Sequence, residues 1–286
     1  MNYWILQTMN ALAFGSLLFL LSSGFSLIFG LMKIPNMAHG ALFMCGAFIG
    51  VALVTAGCPF VLAVPLSGLA VGGLGLLLER TVLRRIAGNE LAQVLATLGI
   101  AFIAADGCRQ LWGTTPLQVD APTALQGSAL LGGVPFPRYR LLICALALAS
   151  AAVLAGVEHN TRIGARLRAA VDDADMARAM GVRVDRLFTL VFAAACALVG
   201  MAGALGVPML SAYLGLDMEM LPFALIVVIL GGVGSLGGAL LASALTGLCY
   251  VFGQALLPGL AYVILFLPMV AMLALRPQGL FGKGAP

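Results

Sequence analysis

A chain of 286 residues that is 62% hydrophobic and 9% charged cannot cover a water-soluble surface, because a soluble domain needs roughly a quarter of its residues charged. Its outer surface must face lipid, as the mean hydropathy of +1.09 requires, and the length suits one bundle over residues 1–286. With a net charge of +4, no basic patch is large enough to release many counterions from a polyanion, which argues against nucleic acid as a partner.

The opening MNYWILQTMN has no positive region, so no cleavable leader is expected. A span needs about 20 apolar residues. Candidates in chain order are 11–31, 40–57, 60–78, 92–111, 140–158 and 187–209, followed by a tract from 222 to 275. That tract holds a broken segment at 222–233, a helix at 236–254 and a last span at 258–275. The fold class predicted is an all-α polytopic membrane protein of about eight transmembrane helices, some of them incomplete. The 36 glycines fit helices packed backbone to backbone in a bilayer.

Two stretches interrupt the apolar pattern, at 30–40 and 231–238. The first carries Lys33, Asn36 and His39, which are costly in lipid, and the second carries Gly231, Gly232, Gly234 and Ser235. Irregular backbone at membrane depth is tolerated where it is buried in protein or lines a cavity, so both read as broken helices along a translocation path. The alternative is that the second glycine cluster merely lets helices pack tightly. Each stretch is followed by a helix, a short Pro-containing turn, another helix and an arginine, which hints at an internal repeat.

Ten of the 26 charged residues fall in residues 162–186, RIGARLRAAVDDADMARAMGVRVDR. Asp172, Asp173 and Asp175 are expected in the first turn of a short helix, Arg178 in its last turn and Gly181 at a left-handed stop, which complements the helix dipole and caps both ends. Asp185 is expected to cap the span that follows. Met176, Ala177, Met180 and Val182 give the short helix an apolar side. Apolar knobs among charges suit a groove on a soluble partner; the plainer alternative is a solvated loop obeying the positive-inside rule, which the four Asp do not need.

Arg80, Arg84, Arg85, the six arginines of this island, Arg276 and Lys283 make 11 of the 15 basic residues, and helix parity lets them share one side, the cytoplasm. The N-terminus is then predicted outside and the C-terminus inside. Residues 112–139 become the main external excursion, with Arg109, Arg138 and Arg140 outside against the rule. Asp106 and Arg109, three apart, read as a structural ion pair. Cys58 and Cys108 both fall near the outer end of a span, and whether they pair is open.

No catalytic constellation emerges: there is no Cys/His ligand spacing, no paired carboxylates in a cleft and no G-x-x-x-x-G-K-[ST]. The chain is therefore not expected to be an enzyme, to hydrolyse ATP alone or to hold a metal or cofactor. Asp106 is the sole candidate for an intramembrane proton relay, so energy is expected to arrive from outside, through the island.

Four stretches carry a resemblance: GLMKIPNMAHGALFMCGAFIG (30–50) with its N-x-A-H-G, RLRAAVDDADMARAMGVRVDRLFTLVFAAACALVGMAGAL (166–205), LIVVILGGVGSLGGALLASALTG (225–247) with its LGG-x-GS-x-x-G, and RPQGLFG (276–282). Occurring in that order across nearly the whole chain, they resemble the permeases of branched-chain amino-acid ABC importers, specifically the LivH-type subunit. The resemblance implies a bacterial inner-membrane permease for branched-chain or other apolar amino acids. It implies partnership with a second, homologous permease, two cytoplasmic ATPases that hold ATP and Mg, and a periplasmic substrate-binding protein. It makes 159–186 the coupling segment, with Arg168, Asp172, Asp173, Asp175, Met176, Arg178, Met180 and Gly181 as candidate ATPase-coupling residues. Asn36, His39, Gly231, Gly232, Gly234 and Ser235 are candidates for the path, from the residues themselves. The island lacks the Glu of the EAA…G coupling pattern of many importers, so it points to this subfamily. Urea or short-chain amides remain alternative substrates, and an autonomous channel, a secondary transporter or a scaffolding membrane component remain alternative classes.

Overall fold

The computed structural model describes residues 2–32, 36–131, 134–276 and 278–281. Its helices run in the order α1 (Asn2–Met32), α2 (His39–Thr55), α3 (Phe60–Thr81), α4 (Glu90–Trp112), α5 (Arg138–Asn160), α6 (Arg162–Asp172), α7 (Ala174–Ala179), α8 (Val184–Leu210), α9 (Leu216–Gly231), α10 (Leu236–Leu256) and α11 (Ala261–Leu275). Seven segments, carried by α1, α3, α4, α5, α8, α10 and α11, are long and apolar enough to cross a membrane. α2, with 17 residues, and α9, with 16, are shorter. The all-α polytopic fold class is as expected; seven long apolar segments and two shorter helices stand beside the expected count of about eight.

The excursion between α4 and α5 also holds a small hairpin, β1 (Ser128–Leu131) antiparallel to β2 (Val134–Pro137), with Ser128 opposite Pro137. Val134 and Phe136 are buried while Pro135 and Pro137 are exposed. That period-two pattern is only four residues long, too short to stand out in the sequence.

The core is organised around α8, which packs against α1, α2 and α3. The approach is close enough to exclude side chains. A Cβ at Gly203 would lie 2.1 Å from the carbonyl oxygen of Phe43, and one at Gly46 would lie 2.4 Å from that of Gly200. Ser67 of α3 reaches into the same contact, its hydroxyl 2.9 Å from the carbonyl of Gly200 and 3.1 Å from that of Gly46. One side chain thereby ties three helices at the point where backbones are least covered.

One end of the bundle gathers most of the described arginines. Arg84, after α3, pairs with Asp185 in the first turn of α8 at 3.3 Å, and α1 reaches α6. Gly30 of α1 meets Gly234 between α9 and α10, and the 278–281 segment bonds to the end of α9 through Leu280 N–H to Leu230 (2.9 Å) and Phe281 N–H to Gly231 (3.1 Å). The turns at 56–59 and 257–260 and the excursion 113–137 lie at the other end, where Phe60 meets Tyr139 and Trp4 stacks on Phe252.

The contact at Gly203 gives a direct test. Gly203→Val is expected to cost about 3 kcal/mol through overpacking, read as a lower unfolding midpoint in detergent titrated with SDS. Gly107→Ala on α4, where a Cβ meets nothing within 4 Å, is expected to leave that midpoint unchanged or raise it.

Candidate functional site

The island folds as two helices rather than one. Thr161 caps α6 by accepting from Gly164 N–H at 3.2 Å, and Arg168 turns back to donate to the carbonyl of Glu158 in the last turn of α5. Arg168, a candidate coupling residue, is thus half-buried and closes the α5–α6 corner. Asp172 ends α6 instead of starting the next helix, because the cap that opens α7 is Asp173. The Asp173 carboxylate accepts from the backbone N–H groups of Asp175 (3.0 Å) and Met176 (2.9 Å). The expectation of three aspartates in one first turn fails for this reason: only Asp175 sits there. Arg178 is in the last turn and Gly181, at φ 84°, supplies the left-handed stop, as expected.

Arg178 holds two carboxylates, Asp175 at 2.8 Å and Asp185 at 3.5 Å. Asp185 does not cap α8, which begins one residue earlier at Val184. It accepts from both Arg84 and Arg178, joining the loop after α3, the end of α7 and the start of α8. These pairs are exposed and each is worth at most about 1 kcal/mol. Ala177 packs with Ala170 and Val184 in a small core of its own. Met176 and Met180 stand outside it, 61% and 79% exposed, among the charges.

The first interrupted stretch is described from Asn36 onward; Lys33 lies outside the described residues. α2 starts within the bundle. Met37 faces Thr97, Cys45 faces Cys108 and Phe48 stacks on Trp112, so α2 runs parallel to α4. Thr97 is seven positions beyond the start of α4, about 10 Å along it. Three backbone donors of this buried start have acceptors. Asn36 Oδ1 accepts from Ala38 N–H (3.1 Å), the Asn36 carbonyl accepts from His39 N–H (3.1 Å) and Thr97 Oγ1 accepts from Met37 N–H (3.2 Å). His39 is fully buried, with Nε2 2.9 Å from the carbonyl of Leu21 and its ring against Phe25. A ring nitrogen facing a carbonyl must donate, so the proton sits on Nε2. His39 Nδ1 has no partner among the described residues; nor have Ser22 Oγ and Ser26 Oγ one helical turn apart on α1.

The second stretch is different. α9 ends on Gly231, Gly232 and Gly234 have φ of 92° and 76°, and Ser235 caps α10 by accepting from Gly238 N–H at 3.1 Å. Gly231 lies against Gly238, and the 278–281 segment lies against Gly232. The turn itself is exposed at Val233 and Gly234. The geometric counterpart of the α2 start is the start of α9. The two first turns meet, with Gly40 lying against the carbonyl of Asp217.

Asp217 and Glu79 are the residues missed in the sequence. Both carboxylates are buried, and Glu79 accepts from the Thr189 hydroxyl at 2.7 Å. Asp106 is instead exposed and paired with Arg109 at 3.3 Å. Asp217 follows Gly215, a left-handed residue that starts α9; the breaker before an acid and an apolar run was the available signal. Cys108 has Cys45 as its neighbour, Sγ to Sγ 3.7 Å, while Cys58 faces the carbonyl of Pro59; all six thiols are free.

Residues 7–273 match the family described as branched-chain amino acid transport system / permease component. The chain is 26% identical to the high-affinity branched-chain amino acid transport system permease protein BraD of Pseudomonas aeruginosa, over 98% of this chain and 96% of that one. It is 23% identical to LivH of Escherichia coli over the same shares, and 27% identical to a probable LivH of Methanocaldococcus jannaschii over 96% and 91%. No solved structure matches it significantly.

The buried start of α2 depends on its side-chain acceptors. Thr97→Ala strands the Met37 N–H and is expected to cost about 1–3 kcal/mol, whereas Thr97→Ser keeps the acceptor; SDS unfolding midpoints of the two variants compare them.

Proposed function

The chain belongs to the branched-chain amino acid transport system permease family, and from that premise we propose that it is the membrane-spanning subunit of an ATP-binding-cassette importer for branched-chain or other apolar amino acids. In this reading the end that gathers the arginines faces the cytoplasm, as the positive-inside rule favours. The chain itself performs no hydrolysis. ATP and Mg reside on two ATPase subunits, a second homologous permease completes the membrane part, and a periplasmic binding protein delivers the substrate.

The observation that carries the reading is the build of α7. A six-residue helix capped by Asp173 presents Met176 and Met180 to water while its other side is fixed on Ala170 and Val184. Exposed apolar side chains on a braced charged helix are what a groove on a soluble partner takes. A push on α7 passes through Arg178 and Asp185 into the first turn of α8, and from Asp185 through Arg84 to the loop after α3. α8 in turn contacts α1, α2 and α3, so it carries movement from the island to the buried start of α2. There Asn36, His39 and the meeting of α2 with α9 form the polar point of the path, and the turn 231–238 moves as a packed unit with the 278–281 segment.

Reconstitution with the binding protein and ATPases is expected to give ATP-dependent uptake of leucine over urea. Uptake by the chain alone would instead favour an autonomous channel. Met176→Glu with Met180→Glu is expected to lower substrate-stimulated ATPase activity by about tenfold without changing membrane insertion. Unchanged stimulation in a complex shown to be assembled would move the docking surface elsewhere.

A further inference from the structure

At the end opposite the island, the 113–137 excursion and the helix ends that flank it in sequence carry Asp106, Arg109, Asp120, Arg138 and Arg140. Asp106 and Arg109 neutralise each other. Of the remaining three, Asp120 and Arg140 line one cavity of about 490 Å³ between the 113–137 excursion, the start of α5 and the end of α8. No ion pair joins them among the described residues, so two residues of opposite charge line a shared space unpaired with each other.

Arg140 is there against two local preferences. It lies in the first turn of α5, where the helix dipole disfavours a cation, and on the end that the distribution of basic residues leaves poor in Lys and Arg. It is held in place by donating to Asn10 Oδ1 of α1. The wall beside it is held too, since the Tyr139 hydroxyl donates to the carbonyl of Leu205 in α8 at 2.7 Å. The rest of the lining mixes the polar side chain of Gln126 with the apolar ones of Leu125, Pro208 and Met209. A preformed space with a cation, an anion and an apolar wall matches a molecule that carries all three complements.

We propose that this cavity is a first binding station for a zwitterionic amino acid with an apolar side chain. Arg140 takes the α-carboxylate, Asp120 takes the α-ammonium, and Leu125, Pro208, Met209 and the Tyr139 ring take the side chain. The assignment deepens the transport reading and rests on it for the choice of substrate class. The station lies apart from the buried start of α2, so it receives the substrate before the path opens.

The test is binding of radiolabelled leucine to the full chain in nanodiscs of phosphatidylglycerol, together with ATP-driven leucine uptake by the reconstituted importer. Arg140→Gln, Asp120→Asn and Leu125→Trp are each expected to weaken binding by about tenfold or more, the loss expected for a charged hydrogen bond or a filled pocket. Because Arg140 also braces α1, the two loop variants decide the matter if Arg140→Gln fails to fold. Wild-type uptake with binding within twofold in both loop variants overturns the station and leaves the transport reading intact. Leucine binding that the variants abolish, in a complex that transports none, upholds the station and sinks the transport reading. Displacement of leucine by phosphatidylethanolamine, whose headgroup is also zwitterionic, at the same three residues would assign the cavity to lipid and overturn the proposal.

Discussion

Lipid gives one apolar helix no hydrophobic reason to leave it for another, so a membrane bundle coheres through close fit and the few polar contacts that lipid cannot supply. Here that fit is concentrated on α8, where glycines remove the side chains between backbones and Ser67 bridges the carbonyls so exposed. The placement of α2 follows from this contact. Gly46 and Phe43 are pinned to Gly200 and Gly203, which holds the first turn of α2 inside the bundle. The polar groups around it are the consequence: once a helix starts buried in protein, its N–H groups need acceptors such as Asn36 and Thr97.

The same logic explains why the two charged regions differ. The ion pairs of the island are exposed and contribute little, so its shape depends on a cap, a left-handed glycine and a three-residue core. Glu79 and Asp217 are buried, where an unserved carboxylate is costly. Glu79 has the Thr189 hydroxyl, and Asp217 has the positive end of α9.

Much of the fold was legible because spans are a matter of length and composition: the helices from 60, 92, 140 and 187 begin within about three residues of their predicted starts. The ends of the short helices were not. α9 begins at Leu216 rather than 222, because Pro222 and two acids look like a boundary until Gly215 is seen to turn the chain and the acids to occupy the positive helix end. The division of the island at Asp173 was equally hidden, since adjacent aspartates are equivalent by composition and only backbone geometry decides which one caps. Asn36 and His39 were conspicuous as polar residues in an apolar run. Thr97, Ser22 and Ser26 were not, because a lone hydroxyl in a span is ordinary and its importance depends on which backbone it meets.

The segment 278–281 has a bearing on biogenesis. Its amides complete α9 by bonding to the carbonyls of Leu230 and Gly231, yet Phe281 emerges from the ribosome fifty positions after Gly231. Until then the end of α9 lacks these two partners while α10 and α11 are already made. The polypeptide therefore carries a late latch: insertion proceeds span by span, but this corner closes only after the last span has been threaded. A nascent chain arrested before residue 279 would present the membrane quality-control proteases with a helix terminus that the finished protein conceals.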